Sequence, residues 1–149
     1  MQVLPTQCKR PSRSVKIADV ARVKKEAKEM IELSRMALGR YPRALALAHC
    51  QVDHADPLRF FVFNNGRIII NPQIDDFMKD DGFVRDTEGC FSYPFRPEVS
   101  VKRHKTLKVS YWEVNNRGVF KKKAEVVDGM LARIFQHELD HFNGKSIYA

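Results

Sequence analysis

The segment "IFQHELDHFNG", residues 134–144, carries two histidines four positions apart with a glutamate directly after the first. On a helix, His137 and His141 lie one turn apart and point the same way, so both imidazoles can meet one ion at about 2.0–2.1 Å. Glu138 can then reach a water on that ion without binding it, the arrangement in which a glutamate acts as general base. The same spacing also arises in helices that merely carry histidines. Two imidazoles do not hold an ion at an enzyme centre, so another part of the chain must supply a ligand. The candidates are Cys8, Cys50, Cys90, His49, His54, His104 and the acidic residues. Cys90 stands out because Gly89 in "EGCFS" permits an unusual backbone, and a thiolate there would bind at about 2.3 Å. Taken alone, such a cysteine is more often an inert core residue.

These residues need elements to hold them. Asp128 is placed to cap a last helix that ends near Asn143, with Gly144 just beyond it. Asp19 can cap a first helix from about Val20 to Gly39, with Val20, Val23, Ala27, Met30, Ile31 and Leu38 on one face. "YPRALALAHCQV" reads as a loop turning into extended chain. "RFFVF-NNG-RIIINPQI" reads as two strands about an Asn-Gly turn, a strong hairpin signal. "KTLKVSYWEV" alternates, with Leu107, Val109 and Tyr111 on one side, and "NNRG" turns it into "VFKKKAEVV". The acidic run 75–88 lacks the ligand spacing of an EF-hand and reads as a solvated loop, and "EGCFSYPFRP" as irregular chain. Together they predict an α+β fold, one domain over residues 1–149, with largely antiparallel sheets packed around the C-terminal helix and an N-terminal helix added.

Composition narrows the class. At 149 residues, 44% hydrophobic and 30% charged, the chain is long enough for a core of its own and has no apolar run approaching the ~18 residues that span a bilayer. No membrane role is expected. Three cysteines leave one unpaired in any disulfide scheme, which favours a reducing compartment. The N-terminus has no apolar stretch of the secretory kind. Net charge is +8, and residues 1–40 hold ten Lys or Arg against four Asp or Glu. The excess suits a solvated helix face, with proximity to ribosomal RNA as the alternative.

The set "EGCFSYP" (88–94), "QHELDH" (136–141) and, more loosely, "ALALAHCQV" (44–52) resembles the three motifs of peptide deformylase. Weaker likeness extends from about Val3 to Ile147. The resemblance implies a metallohydrolase that removes the N-formyl group from the methionine of nascent polypeptides and releases formate. It implies that Cys90, His137 and His141 bind one divalent ion, ferrous iron natively with zinc or nickel able to replace it. Glu138 becomes the catalytic acid and base, and Gln51 with the backbone N–H of Phe91 the oxyanion donors. Leu45, Met130 and Ile134 would form the methionine pocket, the latter two also fitting plain core. Glu88 and Arg103 would pair beneath the Cys90 loop, and Arg133 would pair with an acid or reach water. The expected setting is the cytoplasm of a bacterium or phage-infected host, or an organelle, with the protein as a monomer.

The first motif departs from the family pattern. Ala44 and Ala46 stand where glycines are usual, and His49-Cys50 where Ala-Pro is usual, so His49 or Cys50 could compete for the ion. Two other readings share part of the pattern: a zinc peptidase, and a non-catalytic basic module with a structural ion.

Overall fold

"FFVF" is apolar at every position because both of its faces are covered, as in a strand between two layers. The structure, a computed structural model, describes residues 1–37, 45–90, 92–93, 96–114 and 117–148. Its elements are α1 (Val20–Ala37), β1 (Ala46–Ala48), β2 (Phe60–Phe63), β3 (Ile68–Asp76), β4 (Phe83–Glu88), β5 (Val99–His104), β6 (Thr106–Val114), β7 (Phe120–Asp128) and α2 (Gly129–Phe142). Five strands form one sheet in the order β1-β2-β3-β6-β7, and β4 pairs with β5 in a second. Every strand pair among the described residues is antiparallel.

The period-2 alternation of the strands splits the core into two layers. Phe61, Phe63, Ile69, Leu107, Val109 and Tyr111 face α2, where Ala132, Phe135 and Phe142 meet them. Phe60, Val62, Ile70 and Val114 face the other way, onto Val23, Ala27 and Met30 of α1. The expected faces of the first helix and of β6 are thus the buried ones, Leu38 and Gly39 lying outside the described residues. The turn between β2 and β3 has Gly66 at φ +99°, a conformation that favours glycine.

Helix α2 also touches the smaller sheet. Gln136 accepts from the His104 N–H at 2.8 Å and donates to its carbonyl at 2.9 Å, fastening β5 to the helix. The helix ends at Phe142 with Asn143 as its C-cap, and Gly144 follows at φ +76° with its N–H on the His141 carbonyl. Asp128 occupies the N-cap position, but its side chain makes no capping bond. Asp19 likewise stands in a short 3-10 turn before α1, its carboxylate accepting from the Lys16 N–H and from Arg13.

The acidic run 75–88 is a correction. It ends β3, makes a turn over Lys79–Asp81 and then forms β4, registered with β5 from Phe83↔His104 to Glu88↔Val99. Five of the six β4 residues are exposed, so no apolar alternation marks the strand. The segment after Ala48 also departs from extended chain: His49–Gln51 form a 3-10 turn, because the Val52 and Asp53 N–H groups both turn back to the His49 carbonyl.

Candidate metal centre

The period of α2 brings His137 and His141 to the same face, ring centroids 4.9 Å apart. The irregular segment after β4 delivers Cys90 to them. Its Sγ lies 3.4 Å from His141 Nε2, and the two Nε2 atoms are 3.1 Å apart. Cys8 and Cys50, the competing sulfurs, point elsewhere: Cys8 Sγ to the Arg10 carbonyl and Cys50 Sγ to the His141 carbonyl.

Each imidazole has its inner nitrogen committed. His137 Nδ1 lies 2.8 Å from Glu88 Oε1, and a carboxylate can only accept, so Nδ1 carries the proton. His141 Nδ1 lies 2.9 Å from Gln7 Oε1 and donates likewise. Each ring in its neutral form therefore turns the Nε2 lone pair toward the other and toward sulfur, an arrangement that repels unless a proton or a metal cation sits among them. A tetrahedral ion with nitrogens at about 2.05 Å and sulfur at about 2.3 Å would set N···N near 3.3 Å and N···S near 3.6 Å. The observed separations are within a few tenths of an ångström of these, so the donor set fits a divalent metal.

Electrostatics point the same way. Burial lowers His137, but hydrogen bonds to Cys90 and Glu88 outweigh it and lift the imidazole to about 10. Burial pushes His141 well down, and the His137 charge adds to that. Without a metal, His137 holds the proton that the two rings and the sulfur share, and a divalent ion would take its place.

Glu88 anchors the arrangement from below. Burial would raise its carboxyl, yet Arg103 and His137 hold it down at about 2. Arg103 grips it through two bonds of 2.9 and 2.8 Å and reaches Asp140 as well. Arg133 pairs with Glu88 and donates to the carbonyls of Val84 and Val101, tying both strands of the small sheet to α2. The expected Glu88–Arg103 pair is present, and Arg133 takes an acid rather than water.

Glu138 is buried, and its Oε2 has no hydrogen-bond partner among the described residues. Burial pushes it up to about 7 against the pull of His137, and any cation in the centre would draw it down again. The Gln51 amide cannot flip, since its Oε1 accepts the Ala48 N–H at 2.9 Å. Its NH₂ therefore faces Cys90 Sγ at 3.5 Å and Ser92 Oγ at 3.1 Å. Leu45, Ala46, Met130, Arg133 and Ile134 line a cleft with Gln51, Cys90, His137 and Glu138. Met130 is 51% exposed there, so it belongs to the cleft wall rather than the core. Phe91 and Ala44 lie outside the described residues.

The departures in the first motif have local explanations. The Ala46 methyl packs into the core layer under α2. His49 does not approach the sulfur and imidazoles of the centre. It stacks on Phe60 at 4.7 Å, accepts the Leu58 N–H at Nδ1, and turns Nε2 toward Glu26. Gln7 and Ser92 join the centre without having been expected. Ser92 stands inside a motif already singled out, whereas no spacing or composition marks Gln7.

Comparison with known proteins agrees with this geometry. The polypeptide deformylase family model matches residues 3–149. The chain is 40% identical over 89 residues to a peptide deformylase of Thermotoga petrophila, covering 58% of this chain and 50% of that one. It is 31% identical over 141 residues to one of Thermus thermophilus, covering 86% and 69%. The chain thus spans about half the length of the first of these curated relatives. The crystal structure of peptide deformylase from Thermotoga maritima superposes with a TM-score of 0.73 at 33% identity, covering 95% of this chain and 88% of that one. On the match along nearly all of its length, the chain belongs to the polypeptide deformylase family.

Proposed function

We propose that the chain is a metal-dependent peptide deformylase, hydrolysing the N-formyl group of nascent polypeptides that begin with methionine. The observation that carries the reading is the meeting of one sulfur and two imidazole Nε2 atoms beside a buried carboxylate whose Oε2 lacks a partner among the described residues. Among the described residues this group offers three ligand atoms, the number that leaves a position for substrate. Cys90, His137 and His141 would hold the ion, ferrous iron in the native protein with zinc or nickel as substitutes. When bound, such an ion lowers the pKa of water and polarises a carbonyl.

The chain's own groups do the rest. Glu138 takes the proton of the attacking water and returns it to the departing amine, so formate and a free amino terminus result. The Gln51 NH₂ donates to the oxygen that gains charge, together with the Phe91 N–H; losing one such donor typically costs about 10²- to 10³-fold in rate. Leu45, Met130 and Ile134 receive the methionine side chain. Residues 1–149 act as one catalytic domain and as a monomer, in a bacterial or phage-infected cytoplasm or an organelle. The basic surface favours proximity to the ribosome. No helix among the described residues is long and apolar enough to cross a membrane.

The test is formate release from a formyl-methionyl peptide by protein prepared anaerobically, with metal content measured in parallel. Glu138→Gln should lower turnover by about 10²- to 10⁴-fold while the metal content stays at the wild-type level. A metal-loaded protein that leaves the formyl peptide intact, or a Glu138→Gln variant as active as wild type, overturns the proposal.

A further inference from the structure

The outer nitrogens of the two imidazoles are available only because their inner nitrogens are occupied. For His137 the occupant is an anion, Glu88, gripped by two arginines. For His141 it is a neutral amide from the other end of the chain, Gln7, which no motif assigns to the centre.

The Gln7 amide is held in one orientation. Its Nε2 donates to the Cys8 carbonyl at 2.9 Å, which leaves Oε1 facing His141 Nδ1. That oxygen can only accept, so His141 keeps its proton on Nδ1 and its lone pair on Nε2.

The extended segment around Gln7 is fixed to each part of the centre. The Leu4 N–H donates to the Gln51 carbonyl at 2.8 Å. The Gln7 N–H donates to Tyr93 Oη at 2.9 Å, three residues past Cys90. The Ser12 N–H donates to the Phe142 carbonyl at 2.9 Å, one residue past His141. Gly144 permits this last approach, since a Cβ there would stand 3.2 Å from the Lys9 carbonyl oxygen at an unfavourable φ of +76°. One strap, residues 4–12, thus joins the segments that carry Gln51, Cys90 and His141.

We infer that Gln7 is a positioning residue for the metal centre, fixing the tautomer and ring plane of His141 so that Nε2 can serve as a ligand. The inference rests on the reading that Cys90, His137 and His141 hold a divalent ion. Without the amide oxygen, the buried His141 ring has a polar N–H with no acceptor and relieves it by turning or by moving the proton to Nε2, either of which removes the ligand atom.

The test compares wild type with Gln7→Leu, Gln7→Asn and Gln7→Glu. Each is loaded with Zn²⁺ to measure release into a chelator and with Co²⁺ to record the visible spectrum, and thermal unfolding of the metal-free forms serves as control. Gln7→Leu should release Zn²⁺ about 10- to 100-fold faster, the usual cost of an outer-sphere partner, with a changed Co²⁺ spectrum. Gln7→Asn, whose amide is drawn back by one methylene, should shift the same way without lowering the unfolding midpoint of the metal-free form. Gln7→Glu keeps the acceptor and should restore retention. Release at the wild-type rate with an unchanged spectrum in both Gln7→Leu and Gln7→Asn overturns the inference. A wild-type protein that takes up neither metal overturns instead the reading on which it rests.

Discussion

Among the described residues, two places gather three potential metal ligands within 4.8 Å: Cys90 with His137 and His141, and Glu26 with His49 and Asp53. Ligand type and proximity do not separate them. What separates them is what already occupies the lone pairs. In the second group Arg22 donates to Glu26 at 2.6 Å and to Asp53 at 2.7 Å, so a guanidinium supplies the cation. His49 has spent Nδ1 on the Leu58 N–H, which leaves its proton on Nε2 and no ligand atom free. In the first group both Nδ1 atoms donate outward, and the Nε2 atoms turn inward toward each other and the Cys90 sulfur. An ion site is therefore defined by its outer hydrogen bonds as much as by its ligands.

Stoichiometry gives the sharpest contrast. The wild type should bind one equivalent of Zn²⁺; His141→Ala should weaken binding by more than the about 10- to 100-fold that an outer-sphere partner is worth. His49→Ala should keep the equivalent and lose about 2–4 kcal/mol of stability from a buried, stacked and bonded ring. Two equivalents in the wild type, or metal loss in His49→Ala, would erase the distinction.

Next comes the support under the first group. Arg103→Ala leaves the buried Glu88 with one arginine fewer, and breaking such a pair costs about 3–5 kcal/mol. Retention of Zn²⁺ against a chelator should fall with it, and unchanged retention would count against Glu88 as the orienting group of His137.

A smaller effect distinguishes the groups by pH. Burial holds the His49 imidazole below its ordinary value, with Glu26 offsetting only part of this. The folded chain thus binds that proton less readily than the unfolded chain. The contribution to stability is present above the unfolded value of about 6.5 and is lost as pH falls below it. The urea midpoint of wild type should drop more steeply than that of His49→Gln between about pH 7 and pH 5; parallel profiles would show that His49 is not held neutral by its surroundings.

The smallest effect belongs to Arg22. Its partners are partly exposed, Asp53 at 25% and Asp56 at 49%, so each pair is worth under about 1 kcal/mol. Arg22→Met should shift the unfolding midpoint slightly and leave Zn²⁺ stoichiometry at one, because His49 still lacks a free nitrogen. Uptake of a second equivalent would show that the guanidinium alone keeps an ion out.

Local regularities in the sequence settle a good part of the fold. A helix repeats every 3.6 residues whatever surrounds it, so His137 and His141 had to share a face and Glu138 had to stand beside them. The two-sided burial of β2, the Asn-Gly turn and the alternation of β6 follow from equally local rules. β4 was illegible because an exposed strand has no apolar face to alternate, and its pairing with β5 is decided by chain folding. Gly89 and the irregular segment around it singled out Cys90 among the cysteines, and the resemblance to a known family gave it the part of a ligand. In the fold the Cys8 and Cys50 sulfurs are turned to backbone carbonyls instead.

By itself the sequence determined that His137, Glu138 and His141 stand together on one helix, because the helical period needs no distant partner, whereas the expected parts of Cys90 and Gln51 came from the family resemblance. Only the tertiary structure decided which lone pairs stay free. That depends on acceptors such as Glu88 and Gln7, 49 and 134 positions away from the imidazoles they orient, and contacts across such distances are fixed by the packing of the whole chain rather than by any local pattern.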